Sequence, residues 1–348
     1  MRQVSPDGDA PSAVVSIVEW NSRVTLDIIC VTGFGDDPRV IENPDADWYQ
    51  KYRLGFVPSK DAQRVRLLAL LLPGRLVDWL PLKRVKEVQK AQVAVKEHLK
   101  RLLAAKREDY ENNKNERSDV ISHALRSGAF SDADLLDQSM TLLAAGHETT
   151  AGSLSFAAYV LSQDRRVQAR LREEIREMLP SPHKTRTLSS EELYDLPYMS
   201  AVCSEILRLY TPIPMLHRSA AVETTILGIP IARGTNLRAS PWAISRTEQH
   251  WGPTASDFVP ERWLEGPNAS KGGANSHYSF MAFSQGVRNC IGASFARAEF
   301  AACLACLVGR FDIELESVSL GEKLKVEHGV TARIDGGLLV RLTPVDGW

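Results

Sequence analysis

Phe283-Ser284-Gln285-Gly286-Val287-Arg288-Asn289-Cys290-Ile291-Gly292 is the densest chemical signal in this chain of 348 residues. A cysteine that ligates iron does so as a thiolate, and surrounding backbone N–H groups and positive charge stabilise that form. The segment can supply both. Gly286 permits a tight turn that brings the backbone near a ligand, and Arg288 can pair with a cofactor carboxylate. Gly292 lets the start of the next helix approach a flat ring, and Phe283 is placed to pack beside the sulfur and exclude water. Taken alone, Cys290 reads as a small buried hydrophobe, the commoner fate of a free cysteine. The decisive feature is the whole spacing, Phe-x-x-Gly-x-Arg-x-Cys-x-Gly.

Working outward, a helix is expected over Ala293 to Arg310, followed by strands at Phe311 to Leu315 and Leu338 to Leu342, with Gly336-Gly337 as a hairpin turn signal. Upstream, Ser240 to Ser279 is Trp-, Pro- and Gly-rich and irregular, and Ala220 to Leu237 shows short β-like runs around Gly228 and Gly234. A helix from about Tyr198 to Leu209 is stopped by Pro212 and Pro214. Ser131-Asp132-Ala133-Asp134 offers capping chemistry for a long buried helix reaching Leu161. The adjoining stretch Gln163 to Met178 is Arg- and Glu-rich, with Leu171, Ile175 and Met178 on one stripe before Pro180 and Pro182. Leu82 to Asp109 reads as a long, partly exposed amphipathic helix that ends in the polar loop Glu111 to Ser118. A first helix runs from Ser12 to Cys30 and is stopped by Gly33-Phe34-Gly35-Asp36-Asp37-Pro38. No repeat or linker divides the chain. The expectation is one large, mainly α (α+β) domain over residues 1–348.

A net charge of −1 leaves no global field to recruit nucleic acid or an anionic membrane. Hydrophobic residues at 44% and charged residues at 24% exclude collagen-like, disordered and coiled-coil classes. Five cysteines are too few and odd in number for a disulfide framework, which fits a reducing compartment. Asp7 and Asp9 interrupt the start where a secretory signal needs an apolar core. The longest apolar runs, such as Leu67 to Leu72, fall far short of a membrane span, so the chain is expected to have no transmembrane segment of its own.

The cysteine loop resembles the haem-binding loop of the cytochrome P450 family at every diagnostic position, and independent segments agree. Glu205-Ile206-Leu207-Arg208 is similar to the family's Glu-x-x-Arg pair on one helical face. Pro260-Glu261-Arg262-Trp263 resembles its Pro-Glu-Arg segment, in which Arg262 joins Glu205 and Arg208 as a structural triad behind the haem pocket. Ala145-Gly146-His147-Glu148-Thr149-Thr150 resembles the oxygen-binding segment of a long central helix over the haem. There the resemblance gives Ala145 and Gly146 the role of leaving space, and Thr149 and Glu148 that of delivering protons for O–O cleavage. Gly146 within a helix also makes a kink plausible. Arg218 follows at the distance of the family's propionate arginine, as a second partner after Arg288, whereas His217 reads as a structural histidine. Ile213 to Leu216, Leu142 to Ala145 and Val330 to Ala332 fall at substrate-facing positions.

What the resemblance implies is a cytochrome P450 fold lacking its N-terminal part, with small β-sheets at the edge. The family's membrane-anchor helix, its early β-rich region and an early helix carrying Trp and Arg have no recognisable counterpart. The implied cofactor is haem b, iron protoporphyrin IX, held by the Cys290 thiolate. The implied reaction inserts one atom of O2 into a small lipophilic substrate, in the making of a specialised (secondary) metabolite. NADPH-derived electrons would come through NADPH-cytochrome P450 reductase, with cytochrome b5 as an optional donor. The chain is expected to be a monomer without nucleic-acid partners, facing the cytosol, and associated with the endoplasmic reticulum membrane if full-length. Two alternatives stand beside this reading: a non-catalytic truncated remnant, and a haem-thiolate enzyme that rearranges an oxygenated substrate without a reductase.

Other signals carry less. Cys303-x-x-Cys306 has zinc half-site spacing but lacks a partner pair. His147-Glu148 would need a second histidine where Ala151 stands, and Gly33-Phe34-Gly35 lacks the third glycine of a dinucleotide loop. Asn268-Ala269-Ser270 fits a glycosylation acceptor that a cytosol-facing domain would not use.

Overall fold

The computed structural model describes residues 12–56, 83–112, 118–180, 189–316 and 324–347. The chain runs β1 (Ala13–Ser16), α1 (Ile17–Phe34), α2 (Asp47–Phe56), α3 (Lys83–Glu111), α4 (Val120–Ser127) and α5 (Asp132–Gln163). It continues through α6 (Arg165–Met178), α7 (Ser190–Tyr194), α8 (Pro197–Leu209), β2 (Leu216–Ser219), β3 (Thr224–Ile226), β4 (Ile229–Ile231) and β5 (Asn236–Ala239). The last elements are α9 (Pro241–Ile244), α10 (Glu248–Trp251), α11 (Ala293–Arg310), β6 (Phe311–Leu315), β7 (Val326–His328), β8 (Ala332–Ile334) and β9 (Leu339–Pro344). The fold is mainly α, as expected, with small antiparallel sheets.

Two compact units divide the chain: 1–22 with 149–348, and 23–148. The first has its core in the buried second half of α5 (Leu154, Phe156, Leu161), the α6 stripe, α8 and α11. Beside this core β1, β9 and β6 form one sheet, with Val15 opposite Val340 and Ile313 opposite Leu342. The second unit packs Leu26, Ile29 and Phe34 of α1 with Tyr49 and Tyr52 of α2, Val95 and Leu99 of α3, and Leu143 of α5. There Lys106 Nζ lies 2.7 Å from Asp119 Oδ2 as a buried ion pair, and Asp119 also caps α4 by accepting from Ser122 N.

Helix ends follow local chemistry. Ser131 Oγ accepts from Asp134 N while the Asp134 carboxylate accepts from Ser131 N, which starts α5 where the sequence places it. Asp164 caps α6 through Val167 N. α8 begins at Pro197, and its first two N–H donors, from Tyr198 and Met199, are both taken by Glu174 of α6 at 2.7 Å.

Several expectations are corrected. Residues 13–16, read as the first turn of a helix, form β1, because Ala-Val-Val-Ser finds a ladder partner in β9. The helix that follows continues through Gly33 and Phe34 and stops at Gly35, which has φ +62°. Only the second half of α5 is consistently buried, and its first half exposes residues such as Asp132, Asp137 and Ala145. Met178 is 57% exposed; Val167, Leu171 and Ile175, spaced by four, make the α6 stripe instead. Gly336 and Gly337 both have positive φ and do turn the chain, but the flanking strands do not pair. β8 pairs with β7, and β9 with β1 and β6. A two-residue turn of positive φ lies at Leu227-Gly228 and joins β3 to β4. Leu67 to Leu72, Pro182 and residues 113–117 of the polar loop lie outside the described residues.

Candidate functional site

The residues singled out by the sequence fall into three groups with opposite character. The first is a sealed knot around Glu205. Its fully buried carboxylate accepts from Arg208 Nε and Nη2 at 2.8 Å each and from Arg262 Nε at 2.9 Å. Two further donors were not foreseen, Trp263 Nε1 at 2.9 Å and the Val259 backbone N–H at 3.0 Å. Arg208, also fully buried, spends its remaining donors on the carbonyls of Ser245, Ala255 and Asp257. Each carbonyl belongs to a segment with little regular structure, so one guanidinium fixes the path of all three. Glu261 of the same Pro-Glu-Arg-Trp turn faces outward to Arg166 and Arg170 of α6, tying the irregular segment to the helical core. The tryptophan in that turn was the available signal for an indole donor.

The second group, the cysteine loop, is open. Cys290 N donates to Phe283 O at 2.8 Å and Asn289 N donates to Gly286 O at 3.1 Å, which closes a tight loop with Ser284 and Gly286 at positive φ. A Cβ added at Gly286 or Gly292 would meet nothing within 4 Å. Cys290 and Arg288 are exposed, and Val287 and Ile291 stand wholly in solvent on either side of the sulfur-bearing residue. Two β-branched side chains held out in this way are costly unless something apolar covers them. Phe283 is half-buried, with the Arg297 guanidinium 4.8 Å from its ring centre. The other thiols differ. Burial pushes Cys203 up to about 12, and burial with the Glu299 charge does the same for Cys303. Burial also raises Cys30.

The third group lies on α5, and its members are divided between the two units. Thr149 and Thr150 belong to the first unit, where Thr149 O accepts from Ser153 Oγ at 3.0 Å. Ala145, Gly146, His147 and Glu148 belong to the second. Gly146 has a packing reason of its own, because a Cβ there would stand 2.8 Å from Ile29 Cδ1 of α1. His147 is buried, with its Nδ1 2.9 Å from the Tyr52 hydroxyl. In the first unit Thr150 neighbours a residue the sequence reading missed, Glu299 of α11. Burial pushes this acid up to about 8, with the Thr150 hydroxyl pulling the other way. Neither Glu299 oxygen has a partner at full hydrogen-bonding geometry among the described residues. A lone acid inside an Ala-rich helix was the only hint. Arg218 and His217 lie exposed on β2, opposite Leu237 and Arg238 of β5, and Arg218 Nη1 donates to the His217 carbonyl.

A sequence profile of the family described as cytochrome P450 matches residues 1–337. The chain belongs to the cytochrome P450 family. It is 37% identical to the cytochrome P450 monooxygenase FUM15 of Gibberella moniliformis, over 98% of this chain and 65% of that protein. It is 38% identical to the cytochrome P450 monooxygenase sphH of Aspergillus fumigatus, over 96% of this chain and 62% of that protein. With the cytochrome P450 monooxygenase buaD of Petromyces alliaceus, identity is 35% over 97% of this chain and 65% of the relative. The chain thus spans somewhat under two thirds of the length of these relatives.

Haem-thiolate is the cofactor that membership of the cytochrome P450 family implies, and family members generally draw electrons from a redox partner. The loop fits that group. An exposed cysteine, two glycines with open space above them and two uncovered apolar side chains suit a flat, largely apolar macrocycle joined through sulfur. No described helix is long and apolar enough to cross a membrane.

Proposed function

We propose that this chain, as one cytochrome P450 domain over residues 1–348, is a haem-thiolate monooxygenase in which the Cys290 thiolate would hold haem b. The carrying observation is the open Cys290 loop, in which Cys290 is exposed and Val287 and Ile291 stand in solvent beside it. Haem held by that thiolate would supply activation of O2, so that with two electrons from a redox partner and two protons one oxygen atom would enter the substrate and the other leave as water. The protein's own residues do the rest. Phe283 shields the sulfur, Gly286 and Gly292 keep the approach clear, and Arg288 and Arg218 pair with propionates. Thr149 holds a proton at Oγ1 and Glu148 replenishes it from water, while Ala145 and Gly146 leave room at that turn of helix. Glu205, Arg208 and Arg262 act as scaffold.

The relatives' printed activity supports a monooxygenase, and a small lipophilic substrate of specialised metabolism is the proposed class. The proposed donor is NADPH-cytochrome P450 reductase, serving a monomeric, cytosol-facing domain at the endoplasmic reticulum. The test is the reduced, carbon-monoxide-treated spectrum of haem-loaded protein. A thiolate-type Soret band is expected, and it is lost in Cys290→Ser. Its persistence in that variant removes Cys290 as the ligand.

A further inference from the structure

Trp48, Tyr52 and Phe56 follow each other at every fourth position of α2 and so share one face of that helix. Their rings are stacked, Trp48 on Tyr52 at 5.8 Å between centroids and Tyr52 on Phe56 at 5.1 Å. Tyr52 is buried, and its hydroxyl lies 2.9 Å from Nδ1 of the equally buried His147 on α5. At the other end Trp48 meets the ring of His98 on α3 at 5.3 Å, and His98 Nε2 lies 3.4 Å from Asp36 Oδ2, where both side chains reach solvent. All these groups belong to the second unit. A run of rings in contact therefore joins a buried phenol, with a base beside it, to the surface.

Losing one electron turns a phenol into a far stronger acid, so a tyrosine gives up an electron readily only where a base can take its proton. An imidazole nitrogen is such a base near neutral pH. Tyr210 also has rings beside it, Phe156 at 4.6 Å and Trp242 at 6.1 Å, but its hydroxyl makes no hydrogen bond among the described residues. Tyr198 reaches Glu261 Oε1 at 3.4 Å, and that acid is a poor base. Against the effect of burial, its hydrogen bond from Arg166 and the charges of Arg166 and Arg170 lower its pKa. Trp48 Nε1 is buried with no partner among the described residues, so an electron leaving that indole has no proton path beside it. An oxidising equivalent thus passes through Trp48 and rests on Tyr52.

We infer that Tyr52 and His147 form a redox-active tyrosine site, with Trp48 as its electron relay to the surface. A one-electron oxidant removes an electron from Tyr52; the phenolic O–H breaks, its proton binds His147 Nδ1, and a neutral tyrosyl radical stands beside an imidazolium. A reductant of the thiol or ascorbate class returns the electron through Trp48, and the proton goes back to the phenol oxygen. The inference stands apart from the haem reading, since every group in it lies within residues 23–148 and its test uses an external oxidant.

Flash photolysis of tris(bipyridine)ruthenium(II) with a sacrificial electron acceptor, in the presence of the 348-residue chain, supplies ruthenium(III) as that oxidant, and electron paramagnetic resonance reads the radical. A tyrosyl signal is expected, forming more slowly in heavy water than in ordinary water. It is expected to be lost in Tyr52→Phe, and in His147→Leu to fall in yield and lose the isotope effect. Absence of a tyrosyl signal in the parent overturns the inference. So does a parent-sized signal in folded Tyr52→Phe, which would place the radical on a surface ring such as Tyr278, 69% exposed. Unchanged yield and isotope effect in His147→Leu overturn it as well. If the two buried variants do not fold, Trp48→Phe at its half-buried position decides. Slower radical formation there supports the relay, and an unchanged rate overturns it.

Discussion

Glu205 and Cys290 belong to the same unit and represent two ways of placing a polar group in a protein. The Glu205 carboxylate accepts five hydrogen bonds and is sealed from water, so it is satisfied by the chain itself. The Cys290 loop closes on two backbone hydrogen bonds and leaves its apolar flanks uncovered. The knot therefore stores stability and the loop stores binding capacity. Glu299 is intermediate, buried like the first and unsatisfied like the second.

Substitutions should separate these regions by their effect on stability. The largest loss is expected for Glu205→Ala, which leaves two guanidiniums without their shared counter-charge and costs about 3–5 kcal/mol in a urea unfolding series. A variant as stable as the parent would break the distinction between knot and loop. Glu299 comes next. Its folded-state acid titrates near 8 against an ordinary value of 4.5, so the folded form keeps a proton that the unfolded chain releases across that window. Stability should fall as pH rises from about 4.5 to about 8 and then level off, by on the order of a few kcal/mol. Glu299→Gln should flatten that slope, and an unaltered pH profile in the variant would show that another group sets it.

Gly146→Val should cost about 1–3 kcal/mol, because the added side chain meets Ile29 where even a Cβ is too close. Paired Ile29→Ala should recover part of the loss, which a double-mutant cycle measures. The smallest effect is expected at the loop itself. Cys290→Ser should change unfolding stability of the haem-free chain by no more than about 0.5 kcal/mol, while abolishing the thiolate spectrum. A large stability loss there would mean that the sulfur is a packing element.

Much of this architecture was legible from residue order because the signals were local. α11 and α8 were placed to within a residue by a run of helix formers and by flanking prolines, and the cap at Ser131 started α5 as read. The misreadings occurred where a partner distant in sequence decides. Residues 13–16 are helix or strand according to whether β9 is there to pair with them, and Gly336-Gly337 turns the chain without making a hairpin because β9 lies between β1 and β6. Met178 lost its place in the stripe because burial on α6 follows Val167, Leu171 and Ile175. α2 and α4 went unread, since each is short and depends on tertiary contact for its helical state.

The spacing around Cys290 and the pairing of Glu205 with Arg208 were settled by residue types at fixed intervals, because a loop and a helical turn bring such neighbours together whatever surrounds them. Tertiary structure alone decided that Trp263 and Val259 complete the Glu205 knot, and that Glu299 is buried beside Thr150. Those outcomes depend on desolvation and on groups from segments far apart along the chain, and neither is encoded in any single stretch.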